Sequence, residues 1–390
     1  MGAGEAQRVL YERFVPAERT AFWYIDEGHI RGHRATGADV MDWCPARQGE
    51  PPLAEMLDAQ RPDLFLGCLQ RPDRSPAAWL NASDLDAIER HRGERGMQVA
   101  VRSGPSNMGD LFNAERIDFD RFHDAGVQSF YTQPERPHGP ERSAIERGLI
   151  DVVRSPFHRE CFGVAFRSFL DLGLSVIEEP HAADATRYEP IESADRAHDV
   201  LFVGNCWTFK WANMGPYIEA LQDRFGGRFA LFGERWPAGV RTRGRLEDAG
   251  GGDKNPFNRA VAASAVSVAL HEPSQVLPWR FSGNERVFKL LLCGAAVVSD
   301  PNPILSDYLT PGDALELADG PEQMVRKVER LLDDPERRAA MGRVGREEVL
   351  RSHTYEVRAR RLRDVLVARA DRGQVFGAVE AEGFEMRRAS

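Results

Sequence analysis

Short apolar runs alternate with amphipathic stretches along the first half of the chain. The runs that we interpret as buried strands are AFWYID (21–26), ADVMDW (38–43), DLFLGCL (63–69), MQVAVRS (97–103), GVQSFYT (126–132), GLIDVVRS (148–155) and LSVIEEP (174–180). The helical patterns between them are PPLAEMLDAQRP, DLDAIERHRGERG and CFGVAFRSFLDLG, the last of which ends at Gly173. Strands separated by helices of this length predict βαβ units and a parallel sheet.

The same alternation begins again in the second half of the chain. The strand candidates there are DVLFVGN (199–205), RFALFGER (228–235), the end of RAVAASAVSVALHE (259–272) and AAVVSD (295–300). The predicted helices are MGPYIEALQDRFG (214–226), the start of 259–272, NERVFKLLLCG (284–294) and several charged helices in series over 318–366. The pattern therefore predicts a second α/β unit.

The length of the chain, 390 residues, is too great for one ordinary core, so we expect two domains. The polar and aperiodic segment HAADATRYEPIESADRAH (181–198) is the predicted seam. We therefore divide the chain into a first domain over 1–185, a second over 186–366, and a tail over 367–390 that packs back on the first. Open parallel sheets bind ligands beyond the carboxyl ends of their strands, so we expect a site in a cleft between the domains.

Composition excludes several classes of protein. The net charge is −9, which argues against a general nucleic-acid-binding protein, because such proteins need a basic face. No run approaches the roughly 18 apolar residues of a membrane span, and the N-terminus lacks the apolar core of a signal peptide. The five cysteines are scattered and have no metal-binding spacing, which favours buried thiols in a reducing cytoplasm.

A glycine ends the predicted strand FVGN (202–205), where Gly204 would let a ligand approach the backbone and Asn205 follows. The helix that begins after it offers free N–H groups and a partial positive charge, both suited to a diphosphate. Lys210 lies just downstream and would add a positive charge. An ordinary βα turn explains the same residues equally simply.

The stretch 284–300, NERVFKLLLCGAAVVSD, places polar residues directly before an apolar helix. Asn284 is a candidate helix cap, which leaves Glu285 and Arg286 in the first turn. An arginine there is unfavourable unless it binds an anion, and Arg280 would add a second cation, so a diphosphate clamp is one interpretation. In the other, Glu285 pairs with Lys289 on a solvated face and Arg286 is merely exposed.

Residues 286–362, with Asn284 just before them, supply motifs that resemble the C-terminal domain of GT-B glycosyltransferases, and the spore-maturation (CgeB-like) group most of all. The matching positions are Asn284, Arg286, Phe288, Cys293-Gly294, Asp300, Pro311-Gly312 and His353-Thr354-Tyr355. Over about 180–366 the motifs agree, whereas over 1–180 only the alternation of strands and helices does. The resemblance implies an α/β fold of two Rossmann-like domains facing a central cleft, with closing C-terminal helices, and a nucleotide-sugar substrate.

One departure from that family concerns its paired glutamates. Many retaining GT-B enzymes carry two glutamates eight positions apart, and the corresponding residues here are Phe281 and Lys289. A lysine cannot accept hydrogen bonds from ribose hydroxyls, so ribose recognition would have to come from elsewhere, for example from Glu285 or Glu316. The stereochemistry of transfer therefore stays open.

The function that the resemblance implies is transfer of a sugar from a nucleoside-diphosphate sugar to a hydroxyl acceptor. We find no Asp-x-Asp pair suited to a metal-held diphosphate, so we expect a metal-independent reaction with no cofactor besides the co-substrate. A sugar-nucleotide epimerase would share the architecture but need no acceptor. A non-catalytic binding protein is a further alternative, because both family glutamates are missing.

Candidate catalytic residues follow the predicted strand at 21–26. Asp26, Glu27 and His29 lie at its end, and any of them would serve as a general base for an acceptor hydroxyl. The end of another strand supplies further cleft candidates, Arg102, Ser103 and Asn107. The alternative is that all of these are turn residues chosen for local geometry. The aromatic residues Trp207, Phe209 and Trp211 suit either base stacking or packing.

Overall fold

A computed structural model of the chain describes residues 6–14, 21–69, 77–104, 137, 139–192, 196–206, 208–246, 255–271 and 284–371. These residues form two compact units. The first contains the described residues before 105, those from 137 to 180 and those from Tyr355 onwards, and the second contains those from His181 to Thr354. Each unit is built on a parallel sheet, which confirms the predicted α/β class with two Rossmann-like domains.

The sheet of the first unit has the strand order β2-β1-β3-β4-β5-β6, and its pairs are parallel. Its strands are β1 (Arg8–Glu12), β2 (Asp39–Trp43), β3 (Leu64–Cys68), β4 (Gln98–Arg102), β5 (Val152–Ser155) and β6 (Ser175–Glu178). The chain reverses its direction across the sheet between β1 and β3, because β2 lies on one side of β1 and β3 on the other. The predicted strand at 126–132 lies outside the described residues.

The helices of the first unit that precede residue 180 are α1 (Ala21–Ala35), α2 (Leu53–Gln60), α3 (Ala82–Arg95), α4 (Pro140–Glu146), α5 (Phe162–Ala165) and α6 (Arg167–Asp171). The single helix predicted over 161–173 is in fact a 3₁₀ turn followed by the short α5 and α6, which end before Gly173 at φ 80°.

The strand predicted at 21–26 is wrong, because this segment begins helix α1. Asp26, Glu27 and His29 therefore lie along a helix and not in a turn at a strand end. The first strand of the sheet is the segment RVLYE, which sequence inspection missed. A short apolar run fits a strand and a buried helix equally well, and the buried positions 25, 29 and 33 recur here with helical spacing.

The sheet of the second unit has the strand order β11-β10-β9-β7-β8, again with parallel pairs. Its strands are β7 (His198–Val203), β8 (Phe229–Phe232), β9 (Ser264–Ala269), β10 (Val297–Ser299) and β11 (Glu316–Leu317). Here the chain reverses its direction across the sheet between β7 and β9. Ligands of open α/β sheets bind at such a switch point, beyond the carboxyl ends of the two strands.

The helices of the second unit are α7 (Thr208–Phe225), α8 (Pro256–Ala262), α9 (Glu285–Leu292), α10 (Leu305–Tyr308), α11 (Pro321–Asp333) and α12 (Pro335–Ser352). Helix α9 buries Val287, Phe288 and three consecutive leucines in the core. Gly294 then ends the element at φ 73°, and close contact with α12 requires Gly342, where a Cβ would lie 2.1 Å from the carbonyl of Gly294.

The last helix, α13 (Tyr355–Asp371), belongs to the first unit, although the sequence-based division assigned the chain up to 366 to the second domain. Leu362 and Leu366 pack in one cluster with Val9 and Leu66 of the first sheet. Helix α1 approaches α13 closely because it carries glycine at 28 and 32, where a Cβ would lie 2.2 Å and 2.5 Å from atoms of Tyr355. The remaining tail lies outside the described residues.

The structure also bears on the state of the cysteines and on whether any helix could span a membrane. Cys44, Cys68, Cys161, Cys206 and Cys293 are all buried free thiols, as predicted. Within the parts of the chain that the structure describes, none of the helices combines the length and apolar character needed to cross a membrane.

Candidate functional site

The switch point of the second sheet brings together the ends of β7 and β9. Strand β7 is followed by Gly204 and Asn205, and β9 is followed by Leu270 and His271. Helix α9 begins beside them, since the amide of its N-cap residue Asn284 donates to the carbonyl of Leu270 at 3.2 Å. The side-chain oxygen of Asn284 also accepts a hydrogen bond from Val287 N at 3.3 Å, which confirms the predicted cap.

Arg286 connects the ends of β7 and β9. Its Nη1 donates to the carbonyl of Leu270 at 2.8 Å, and its guanidinium carbon lies 4.7 Å from the ring centroid of Phe202 in β7. The space it occupies exists because residue 204 is glycine, since a Cβ there would lie 2.5 Å from Nη2 of Arg286. The arginine is therefore held at the switch point. The interpretation that Arg286 is merely an exposed side chain does not agree with these contacts.

The turn after β7 is tied to the turn after β8. Gly204 N donates to Phe232 O at 2.9 Å, and Glu234 N donates to Oδ1 of Asn205 at 2.8 Å. Gly233 permits this approach with φ 132°, because a Cβ there would lie 2.0 Å from the carbonyl of Gly204. Asn205 thus has a structural role in joining the two turns.

The other predicted cations have different surroundings. Lys210 is half-buried in the first turn of α7, close enough to Cys206 to oppose the rise in the pKa of that thiol that burial causes. Its place at a helix start near the end of β7 agrees with the predicted position. Arg280 and Trp207 lie outside the described residues. Trp211 makes an edge contact with Trp236 at 6.2 Å between ring centroids, which supports the packing interpretation.

Glu285 and Lys289 form an ion pair of 2.5 Å within α9, with side chains only 12% and 13% exposed. Lys289 Nζ also lies 5.2 Å from the ring centroid of Tyr188. Burial lowers the pKa of Lys289, but the charges of Glu285 and Tyr188 outweigh it, so the pKa is raised overall. The pair is therefore buried against the segment before β7, and the solvated-face interpretation is wrong.

A histidine that the sequence analysis did not select lies at the same edge of the sheet, beside Asp300, which was selected only as a position that matches the family motifs. His271 follows β9 and Asp300 follows the adjacent β10, and both are fully buried. The ring Nδ1 of His271 lies 2.6 Å from Oδ1 of Asp300, and Asn213 of α7 donates to Oδ2 of Asp300 at 3.0 Å. The available signal was that both residues lie at the C-terminal ends of predicted strand segments, 259–272 and 295–300.

The candidate catalytic residues of the first unit make internal contacts. Asp26 is fully buried and accepts hydrogen bonds from Tyr11 Oη at 2.9 Å and Phe14 N at 2.7 Å. Burial raises the pKa of Asp26, against the opposing charge of Arg102. Glu27 pairs with Arg13 at 2.6 Å.

His29 is also buried, with its ring centroid 4.7 Å from that of Tyr355 and its Nε2 4.0 Å from Oε2 of Glu179. Like Asp26 and Glu27, it therefore has a partner within its own unit, and a catalytic role for these three residues stays a prediction.

A shallow surface depression lies at the switch point of the first sheet. The residues that line it are Glu12, Arg13, Phe14, Pro45, Ala46 and Cys68. Arg102, at the end of β4, donates to Tyr11 Oη at 2.6 Å, and the hydroxyl of Ser103 donates to the carbonyl of Gly104. These two candidates therefore support neighbouring backbone and side chains, and Asn107 lies outside the described residues.

Comparison with known proteins gives a family match for part of the chain and a fold for most of it. Residues 216–364 match the family model described as glycosyl transferase-like. No curated protein matches the chain significantly in sequence.

Three solved structures show the fold. Sucrose-phosphate synthase from Thermosynechococcus elongatus is 13% identical, with a TM-score of 0.58 over 94% of this chain and 100% of that one. A glycosyltransferase from Rickettsia africae is 8% identical, with a TM-score of 0.59 over 94% and 100%. Alr3699/HepE from Anabaena, in complex with UDP-glucose, is 9% identical, with a TM-score of 0.52 over 93% and 99%. The chain has the fold of GT-B enzymes.

Proposed function

We propose that the protein transfers a sugar from a nucleoside-diphosphate sugar to a hydroxyl-bearing acceptor, which is a small molecule, a natural product or a glycan. The glycosyl transferase-like match supports this, because residues 216–364 include β9, β10 and α9. The fold, which solved glycosyltransferases share, supports it as well. The UDP-glucose complex of the Anabaena protein supports a nucleotide sugar as the donor.

Arg286 carries the proposal. A cation in the first turn of a helix is unfavourable, because the N-terminus already has a partial positive charge, and an anionic ligand removes that penalty. Arg286 is fixed by Leu270 O and the ring of Phe202 at the point where ligands of such sheets bind. A guanidinium in this place suits the two phosphates of a nucleotide sugar.

In the proposed reaction the second unit binds and stabilises the leaving group, the nucleoside diphosphate. Glycosyl transfer has an oxocarbenium-like transition state, and negative charge grows on the departing diphosphate. Arg286, Lys210 and the N–H groups at the starts of α7 and α9 would offset that charge. No metal ion and no organic cofactor takes part in this proposal, and the nucleotide sugar is a co-substrate.

Two finer assignments belong to the same proposal. The motifs around α9 support a place in the spore-maturation (CgeB-like) group. The five buried cysteine thiols support a cytoplasmic location. Lys289 stands where many retaining GT-B enzymes have a glutamate. Because lysine cannot accept hydrogen bonds from ribose hydroxyls, we propose that another residue binds the ribose.

The test is a thermal-shift panel of UDP, TDP, GDP and ADP and their sugars, because a ligand that binds only the native state raises Tm. We expect one nucleoside diphosphate to raise Tm, and Arg286→Ala to weaken its binding about tenfold or more, since charge-assisted hydrogen bonds are worth roughly 1.5–3 kcal/mol.

Arg346→Ala is the matched control, because Arg346 also donates to a backbone carbonyl, that of Leu292 at the other end of α9. Equal loss in both variants, or no binding by the wild type, would remove this site. Turnover is then measured with a panel of hydroxyl acceptors. Epimer formation without an acceptor, or binding without any turnover, would contradict the proposed transfer.

A further inference from the structure

His271 is held by hydrogen bonds at every polar atom except one. Its backbone N donates to Oδ1 and Oδ2 of Asp300 at 3.2 Å and 3.0 Å, and its carbonyl accepts from Nδ2 of Asn213 at 2.9 Å. Its ring Nδ1 lies 2.6 Å from Oδ1 of Asp300. The remaining atom, Nε2, is buried and has no hydrogen-bond partner among the residues that the structure describes. Buried polar atoms are nearly always paired, so this one requires an explanation.

The backbone just before His271 is fixed by the start of α9. The carbonyl of Leu270 accepts from Asn284 at 3.2 Å and from Arg286 at 2.8 Å. Arg286, which carries the proposed anion site, is therefore hydrogen-bonded to Leu270, the residue directly before His271. The orientation of His271 is therefore already set at the switch point.

Asp300 also determines what Nε2 can do. Both oxygens of Asp300 accept hydrogen bonds from N–H groups, so the bond to His271 is formed by Nδ1–H donating to the carboxylate. In a neutral ring Nε2 is then an acceptor only, and it becomes a donor when the ring takes up a proton. The same orientation of a ring by a carboxylate occurs in catalytic dyads.

Charged and titratable groups lie on the elements around His271. Asp300 directly follows β10 and accepts hydrogen bonds from several donors, and Arg286 on α9 is a cation. On α7, Lys210 and Tyr217 share a face with Asn213, since they lie three residues before and four residues after it. Burial raises the pKa of Tyr217, so its hydroxyl stays neutral, and the exposed Asp319 precedes α11.

We propose that His271, oriented by Asp300, donates a hydrogen bond from Nε2 to a phosphate oxygen of the nucleoside diphosphate bound at the ends of β7 and β9. This inference rests on the proposed donor site and adds a residue that acts together with Arg286. Binding draws one proton from solvent onto the ring, and release of the nucleoside diphosphate returns it. Arg286 contributes a permanent charge, whereas His271 contributes a charge that depends on pH.

The experiment measures the affinity of inorganic pyrophosphate and of the nucleoside diphosphate found in the thermal-shift panel, from about pH 6 to about pH 9, a range that spans ordinary histidine titration. Wild type, His271→Gln, His271→Leu and Arg286→Ala are compared at each pH. The ratio of wild-type to variant affinity cancels the titration of the ligand itself. Tm without ligand identifies any variant that is not folded, and the glutamine variant is the milder of the two.

The proposal expects the ratio for His271→Gln to be about tenfold near pH 6 and to approach one near pH 9. The ratio for Arg286→Ala should be large at every pH. A ratio for His271→Gln that is flat across the range overturns the proposal, because a purely structural histidine loses affinity at every pH or at none. A ratio that grows with pH also overturns it, since Nε2 would then accept a hydroxyl proton.

The two variants separate the failure of this inference from that of the donor site. If Arg286→Ala weakens pyrophosphate binding and His271→Gln does not, only the role of His271 is lost. If neither variant changes the affinity, the donor site itself is wrong.

Discussion

The guanidinium of Arg286 occupies the space that any side chain at residue 204 would need. A Cβ built on Gly204 lies 2.5 Å from Nη2 of Arg286 and 3.1 Å from the ring of Phe202. The end of β7 and the start of α9 are therefore sterically complementary. The position of Arg286 requires glycine at residue 204, whereas an ordinary βα turn would not.

Gly204→Ala should displace Arg286 and weaken nucleoside-diphosphate binding about tenfold, the value of one charge-assisted hydrogen bond. Tm should change little, because the displaced atom is the end of a flexible side chain. The measurement is calorimetric affinity together with Tm. Gly227→Ala is the matched control, since a Cβ there meets nothing within 4 Å. Unchanged affinity in Gly204→Ala would show that the position of Arg286 is unimportant for binding.

Lys289→Glu should destabilise the protein by about 3 kcal/mol, because it places two carboxylates together where a buried ion pair was. The side chains of the pair are only 12% and 13% exposed, so the two carboxylates would be poorly solvated. Urea unfolding measures the free energy of unfolding.

The control for Lys289→Glu is Arg343→Glu, which breaks a pair of the same i,i+4 spacing whose side chains are 66% and 60% exposed. That exposed pair should be worth at most a few tenths of a kcal/mol. Similar losses in the two variants would contradict a stabilising role for the burial of Lys289.

His33 should make the stability of the first unit depend on pH. Burial, with the nearby charges of Arg154 and Arg363, lowers the pKa of His33 to about 3. The unfolded chain binds a proton at about pH 6.5 and the folded chain does not, so stability is full above that value. It falls by about 1.4 kcal/mol for each pH unit below it, until the folded pKa is reached.

Unfolding of wild type and His33→Leu from about pH 7 to about pH 5 tests this, and the variant should have the shallower slope. Because Nε2 of His33 is buried and has no hydrogen-bond partner within the described part of the chain, leucine should also cost little stability at neutral pH. Parallel slopes in the two proteins would mean that another group causes the acid sensitivity.

Glycosyl transfer should survive chelation, because the proposed reaction uses Arg286 and helix N-termini to offset the charge of the leaving diphosphate. The measurement is the initial rate of nucleoside-diphosphate release with and without excess EDTA. Loss of activity that Mg²⁺ or Mn²⁺ restores would show a carboxylate site for a metal ion.

The second unit was well predicted from the sequence because its signals are local. Asn284 caps α9, an apolar helix follows, and Gly294 ends the element, so each boundary has its own chemical cause. Arg286 was selected for the same reason, since a cation in a first turn contradicts the helix dipole.

The beginning of the chain was predicted poorly because its determinants are distant in sequence. AFWYID begins helix α1, which packs through Gly28 and Gly32 against Tyr355, more than 300 residues away in the sequence. The pairing of His271 with Asp300 was missed for a related reason. Their pairing depends on β9 and β10 being neighbours, which is a property of strand order and not of either segment alone.

Helix α13 completes the core of the first unit from the far end of the chain, and this sets the order of events during synthesis. The described residues of the second unit lie between His181 and Thr354, so they are synthesised before α13. The first sheet is translated first, but the part of its core that Leu362 and Leu366 cover stays incomplete until these residues leave the ribosome. A nascent chain stalled before residue 355 would therefore expose the apolar side chains that these two leucines contact.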